Sequence, residues 1–356
     1  GEVYTTNPFN PSSIVDLVGL QVRHNNIYYY TDSIGEVLLP SNNGSVTYYL
    51  EGLYSEVQTN SIVPSFNAPV SNNNVFFDNT NSSISERTAF YAVNNIHTHF
   101  KNQFPTSTAL DFSMETNVDL GTGDCNAFYS GGTINFYEEG GGCQATAKIP
   151  DVAYHEYGHA INNARYNSGS GMDNGAMNEG FADIWAFSLT ASPFIGLGWD
   201  LVDPTYSIRD YQDRKVYPQD LVGEVHADGE IIAGCFWDTY LNLNNMNQML
   251  DLFKYTYDSG VDGPSGTEGA VFTDILLEVL YADDNDADLT NGTPNDIAIV
   301  SAFALHGITL LSNAVISHNP VSSTVGNTGI TINASVGITY PWALGSANCS
   351  YRLNDA

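Results

Sequence analysis

The sequence predicts an α+β fold, with a β-rich first part, a helical second part and a short return to β at the end. Three observations carry this. Before Arg87, runs of β-branched and aromatic residues (NIYYYTD, EVLLP, SVTYYLEG) are split by the turn-like stretches SNNG, VPSFNAP and SNNN. After Pro150, apolar residues recur at helical spacing up to about Gly307. From about residue 313 the text SHNPVSSTVGNTGITINASVGITY alternates again. The expected units are therefore a β-rich lobe over 1–149, a helical lobe over 150–314 and a C-terminal β segment over 315–356, the last with the look of part of a small β-sandwich.

Each element has a local reason. RTAFYAVNNIHTHFKNQF, Arg87 to Phe104, spaces its apolar residues as a helix does, and strand-like pieces return between Ser107 and Tyr137. The glycine-rich EEGGGCQATAKIP ends at Pro150, which suits a first helical turn because its missing N–H would be unpaired there anyway. Helices are expected at about 150–166, 178–192, 226–245, 247–258, 266–282 and 293–307.

A chain of 356 residues, 42% of them hydrophobic, can bury a sizeable core and is not a disordered polymer. Its net charge of −30, from 40 acidic residues against 10 Lys plus Arg, repels phosphate backbones and anionic lipid, which argues against nucleic-acid and membrane partners. Scattered acids of this kind fit calcium binding or a saline habitat. No apolar run approaches the ~20 residues of a membrane span. The start at Gly1-Glu2-Val3 reads as a mature form whose leader has been removed, so a secreted protein is expected, and a monomer is the expected state. The four cysteines form no CxxC pair, and an even number in such a composition points to disulfides. Cys125–Cys143 is the expected bond; Cys235 and Cys349 are either a second bond or two buried thiols.

The chemistry lies in YHEYGHAINNARYNSGSGMDNGAMNEGFADIW, Tyr154 to Trp185. On a helix, His155 and His159 share one face, so both imidazoles can reach one zinc ion. Glu156 follows the first ligand and is placed to take a proton from water as general base. A third ligand is needed. The metzincin pattern would require glycine at 162 and histidine at 165, where this chain has Asn162 and Arg165. The other choice is a glutamate on a following helix, and Glu179 in NEGFAD supplies it, with 19 residues between it and His159. Asp183, one turn further on, can accept the free N–H of a ligand histidine.

This segment resembles the thermolysin and fungalysin group of zinc endopeptidases, the gluzincins. DVAYHEYGHAI, NGAMNEGFADI and the gap between them look like the thermolysin side. GEVHADGEIIAGCFWD, Gly223 to Asp238, looks more like the fungalysin VHxxGE stretch. The resemblance spans roughly Arg87 to Gly307. It implies a thermolysin-like two-lobe metallopeptidase with its cleft between the lobes, protein or peptide substrates, and a propeptide that is later removed. It implies that His226 steadies the tetrahedral oxyanion and that Asn126 and Ala127, in CNAFYSGGTINFY, bind the peptide backbone by strand addition. By the same resemblance Arg209, in YSIRDY, holds a substrate carbonyl, and Val152 walls the pocket after the scissile bond. There are departures. The thermolysin-type tyrosine aligns with Ser170, with Tyr166 close by. Asp151 matches a calcium-binding aspartate whose glutamate partner is here Thr190.

Asp283, Asp284, Asp286 and Asp288 crowd into DDNDADLTNGTPND, which either offers oxygens to calcium or caps the neighbouring helices itself. The expected function is a secreted zinc-dependent endopeptidase. The rival is a catalytically inactive surface or matrix protein on the same scaffold. An aminopeptidase would need a site for the free substrate amine, and no motif supplies one.

Overall fold

Along Ser45–Gly52 the side chains of Val46, Tyr48 and Leu50 point to one face and are buried, while their neighbours are partly or fully exposed. This period of two is what a half-buried strand requires. The computed structural model describes residues 1–72, 74–121, 124–310, 314–319, 329–344 and 346–348. Its first lobe contains β1 (Glu2–Val3), β2 (Ser13–Ile14), β3 (Leu20–His24), β4 (Ile27–Tyr30), β5 (Ser45–Gly52), β6 (Ser55–Gln58), β7 (Ser65–Pro69), α1 (Ile84–Gln103), β8 (Met114–Leu120), β9 (Ala127–Ser130) and β10 (Thr133–Tyr137). One 8-stranded sheet runs in the order β4-β3-β5-β6-β8-β10-β9, with β7 also paired to β5. The pairs β6–β8 and β8–β10 are parallel, and β9 runs antiparallel to β10 at the sheet's edge.

Two segments differ from their sequence reading. Glu36–Pro40 joins no strand, and Leu38 stands 94% exposed. Conversely Ser65–Pro69, read as a turn, is β7, and Phe66 stacks on Tyr48 across the pair. Proline is tolerated at such an edge because it has no ladder N–H to lose.

Helix α1 covers the sheet with Phe90, Val93, Ile96 and Phe100, all fully buried at helical spacing. A capping box starts it at Ile84 rather than Arg87: Ser83 Oγ accepts from Glu86 N at 3.1 Å, and Glu86 Oε2 accepts from Ser83 N at 2.6 Å.

The second lobe contains α2 (Pro150–Arg165), α3 (Gly175–Thr190), β11 (Phe194–Ile195), β12 (Arg209–Asp210), α4 (Val225–Leu243), α5 (Met246–Tyr255), α6 (Glu268–Asp283) and α7 (Asp296–Leu305). Helix α3 begins three residues earlier than periodicity predicts because Asn174 Oδ1 caps Met177 N at 2.9 Å. Its core is aromatic. Trp185, Phe181, Phe253 and Tyr257 meet largely edge to face, and Trp185 Nε1 donates to the Tyr257 hydroxyl at 2.6 Å. Beyond it, β13 (Val315–His318) and β14 (Ala334–Gly337) form an exposed antiparallel pair. A turn at Pro341–Ala343 follows, and Trp342 Nε1 donates to the Leu289 carbonyl at 2.7 Å. Among the described residues no helix is long and apolar enough to cross a membrane.

Two glycines set the distances between the helices that matter. A Cβ on Gly158 of α2 would lie 2.7 Å from the Ala182 Cα of α3. A Cβ on Gly229 of α4 would lie 2.7 Å from the Ala176 carbonyl and 3.0 Å from the Cβ of Glu179. Backbone therefore meets backbone where α2, α3 and α4 cross.

Gly158→Ala gains roughly 1 kcal/mol of helix propensity but overpacks the α2–α3 crossing by about 1–3 kcal/mol. A lower urea midpoint and a Tm reduced by a few degrees are expected; an unchanged midpoint would show that the crossing relaxes freely.

Candidate metal centre

Helix α2 presents His155 and His159 on one face, with their Nε2 atoms 3.1 Å apart. Helix α3 brings Glu179 across the glycine-mediated crossing. Its Oε2 lies 3.2 Å from His155 Nε2, and its Oε1 lies 3.5 Å from His159 Nε2. Among the described residues this is the group of His, Cys, Asp and Glu whose ligand atoms gather within 4.8 Å of one another. Zinc bonds of ~2.0–2.1 Å in a tetrahedron imply ligand–ligand edges of roughly 3.3 Å, so the three side chains fit a zinc ion. Glu179 Oε2 is also buried without a hydrogen-bond partner, an acceptor that a cation would satisfy.

A second layer holds these ligands. Asp183 Oδ1 accepts from His155 Nδ1 at 2.6 Å. The Arg209 guanidinium binds the same carboxylate, with Nη2 3.1 Å from Oδ1, and the Tyr211 hydroxyl donates to Oδ2. Asn178 Oδ1 lies 3.2 Å from His159 Nδ1 and is itself fixed by Asn162 Nδ2 at 2.8 Å. Each ligand histidine thus has its outer nitrogen pinned.

The electrostatics follow from this packing. Burial lowers His155, but the Asp183 carboxylate outweighs it and Glu179 adds to it, so the imidazole is held up to about 10. Burial raises Glu179, and the two histidines overcome it to hold the carboxyl well below the usual range. Asp183 is likewise raised by burial and pulled far down by Arg209 and His155. The metal-free cluster is therefore a charged, proton-holding network.

Glu156, on the same helix, is 5% exposed. His226 stands at the start of α4 with Nε2 3.5 Å from Glu179 Oε2 and Nδ1 2.6 Å from Glu224 Oε1. Glu224 also caps α4 by accepting from Ala227 N at 2.9 Å. Val152 lies on α2 one turn before Glu156 and is 4% exposed. Ala127 opens the edge strand β9, which packs beside α2, and its N–H donates to Asn126 Oδ1 at 3.0 Å.

Other sequence expectations fall elsewhere. The Tyr166 hydroxyl donates to the Val261 carbonyl in the aromatic core, so it is spent away from the metal cluster. Asp151 accepts from Gly196 N at 3.2 Å, and burial pushes its carboxyl up to about 7. In the aspartate loop the carboxylates close on the loop itself. Asp283 accepts from Thr293 and Asn295, Asp284 from Asp286 N, Asp286 from Asp288 N, and Asp288 from Thr290. Cys125 and Cys143 are bonded, with Cα atoms 5.7 Å apart. Of the two alternatives left open for Cys235, the structure has the buried thiol: it is free and fully buried in α4, and Cys349 lies outside the described residues.

Asn178, Tyr211 and Glu224 were not singled out from sequence. Asn178 and Glu224 had a signal, since each adjoins or caps a segment that carries a site residue. Tyr211 had none beyond its place two residues after Arg209.

Residues 16–163 match the family model of the thermolysin metallopeptidase catalytic domain, which covers the sheet, α1 and most of α2 with both histidines. No curated protein matches in sequence. Among solved structures the fold is similar to the precursor of protealysin, a metalloproteinase from Serratia proteamaculans, with a TM-score of 0.52 at 13% identity over 77% of this chain and 91% of that one. Over residues 16–163 the chain is thus similar in sequence to the thermolysin catalytic domain, and its α+β fold is thermolysin-like.

Because His155 carries a proton in the metal-free fold, zinc must displace it. Apparent zinc affinity, measured by chelator competition, is expected to rise about tenfold per pH unit around neutrality; a flat profile would contradict the proton-holding network. Tyr211→Phe removes one donor from Asp183, and its zinc affinity is expected to fall by about tenfold. An unchanged affinity would show that the hydroxyl does not support the ligand shell.

Proposed function

We propose that the protein is an active, secreted zinc endopeptidase. The single observation that carries this reading is the convergence of His155, His159 and Glu179 with His226 on three helices whose crossings hold them together, with Glu156 beside His155 on α2. Zinc, when bound, supplies a Lewis acid that polarises the scissile carbonyl and makes water acidic near neutral pH. His155, His159 and Glu179 hold it, and Asp183 and Asn178 orient the two imidazoles.

Glu156 takes the proton of the attacking water and delivers it to the leaving amine. The Nε2 of His226 faces the same centre, with Nδ1 held by Glu224, and donates to the oxyanion as negative charge develops. Edge strand β9, with Asn126 and Ala127 at its start, receives the substrate backbone as an added strand. Arg209, anchored on Asp183, holds a substrate carbonyl, and Val152 walls the pocket beyond the scissile bond.

The Cys125–Cys143 bond supports an oxidising compartment and hence secretion. The precursor form of the similar solved protein supports a propeptide as a further partner. The carboxylates of the aspartate loop accept from its own N–H and hydroxyl groups, which supports its reading as a capping loop.

Glu156→Gln is expected to keep one zinc per chain while hydrolysis of a quenched peptide falls by at least about a hundredfold. Wild-type turnover should vanish with a chelator and return with zinc. Zinc-loaded wild type that cleaves no peptide would instead favour the inactive scaffold protein.

A further inference from the structure

We infer that Glu230 is a specificity residue whose carboxylate pairs with a cationic side chain of the bound peptide. The inference rests on the peptidase reading above and extends it to the class of substrate.

Glu230 lies on α4 four residues after His226, so the two share a helix face. That face looks toward α3, where Glu179 approaches His226 and the bare Gly229 backbone lets the helices touch. Glu230 is only half-buried, so one side of it meets solvent. The charged groups around it are Lys215, Arg209, Asp183 and Asp213, with the Tyr211 hydroxyl also near.

Neither nearby cation bonds to it. Arg209 is committed to Asp183, and Lys215 Nζ lies 2.8 Å from Asp213 Oδ2. Among the described residues the Glu230 carboxylate has no hydrogen-bond or ion-pair partner. Burial pushes it up to about 7, with Lys215 and Arg209 pulling it down and Asp183 and Asp213 opposing them.

A solvated acid would be ordinary on a chain with 40 acidic residues. Glu230 is not solvated in that way. It is partly desolvated, unpaired and one turn from the histidine at the metal cluster, and an unpaired buried charge is costly. A substrate ammonium or guanidinium would repay that cost with a charge-assisted hydrogen bond. The same chemistry has two sources, a Lys or Arg side chain or a free peptide N-terminus. We commit to the side chain, because Glu230 lies within α4, a turn beyond His226, and free N-termini are tested separately.

The test uses zinc-loaded wild type, Glu230→Gln and Glu230→Asp on N-acetylated quenched peptides that carry Lys or norleucine at each position flanking the cut. A second set has free N-termini. Wild type is expected to favour Lys over norleucine by about tenfold in kcat/KM at one position. Glu230→Gln should bring that ratio near unity, and Glu230→Asp should keep part of it. The ratio is internal to each protein, so loss of folded enzyme cancels. In wild type the ratio should rise between about pH 6 and about pH 8 as the carboxyl ionises. Affinities for the same peptides, measured by fluorescence polarisation, should show the same preference without turnover. Absent hydrolysis with an intact binding preference would sink the peptidase reading alone. A ratio that Glu230→Gln leaves unchanged, or that is flat with pH, overturns the inference; an effect confined to free N-termini overturns the side-chain assignment.

Discussion

The buried carboxylate of Asp183 is the constraint on which the site is built. Its side chain is 1% exposed, where an isolated charge could not persist. It persists because three neighbours donate to it: His155 from α2, and Arg209 and Tyr211 from β12 and the residue following it. The same bonds fix the imidazole that faces the metal. Asp183 therefore couples the stability of the second lobe to the geometry of the ligand set. Removing it would strand the buried Arg209 charge as well as release His155.

The helices that bring these groups together do so at close range because glycine replaces side chain at their crossings. Gly158 lets α2 lie on α3, and Gly229 lets α4 lie on α3. Glu179 stands between both crossings, which is why it reaches the two histidines of one neighbour and His226 of the other. Strand β9 forms the sheet's edge beside α2, and the Cys125–Cys143 bond ties the chain just before it to the loop that leads into that helix. Strand β9 and the metal-bearing helices thus meet at α2.

Much of this was legible in the sequence because it follows from periodicity. The four-residue spacing of His155 and His159, and of Glu179 and Asp183, puts each pair on one helix face whatever the rest of the chain does. Pro150 marks the start of α2 for a purely local reason. What escaped was set by capping or by tertiary contact. Ser83 and Asn174 begin their helices ahead of the apolar pattern, since a side-chain cap needs no apolar residue. Ser65–Pro69 becomes a strand only because β5 offers it a partner. Tyr211 matters because β12 folds back against α3, which no short-range signal foretells. The cysteine count left Cys235 open between a bond and a buried thiol, and the orientation of α4 decides for the thiol.

The central claim is that His155, His159 and Glu179 together hold one zinc ion. X-ray absorption at the zinc edge of the metal-loaded protein tests it most directly. The account predicts two imidazole nitrogens and carboxylate oxygen at about 2.0–2.1 Å, with no sulfur. A sulfur ligand near ~2.3 Å, or a shell of oxygens without imidazole, would contradict it.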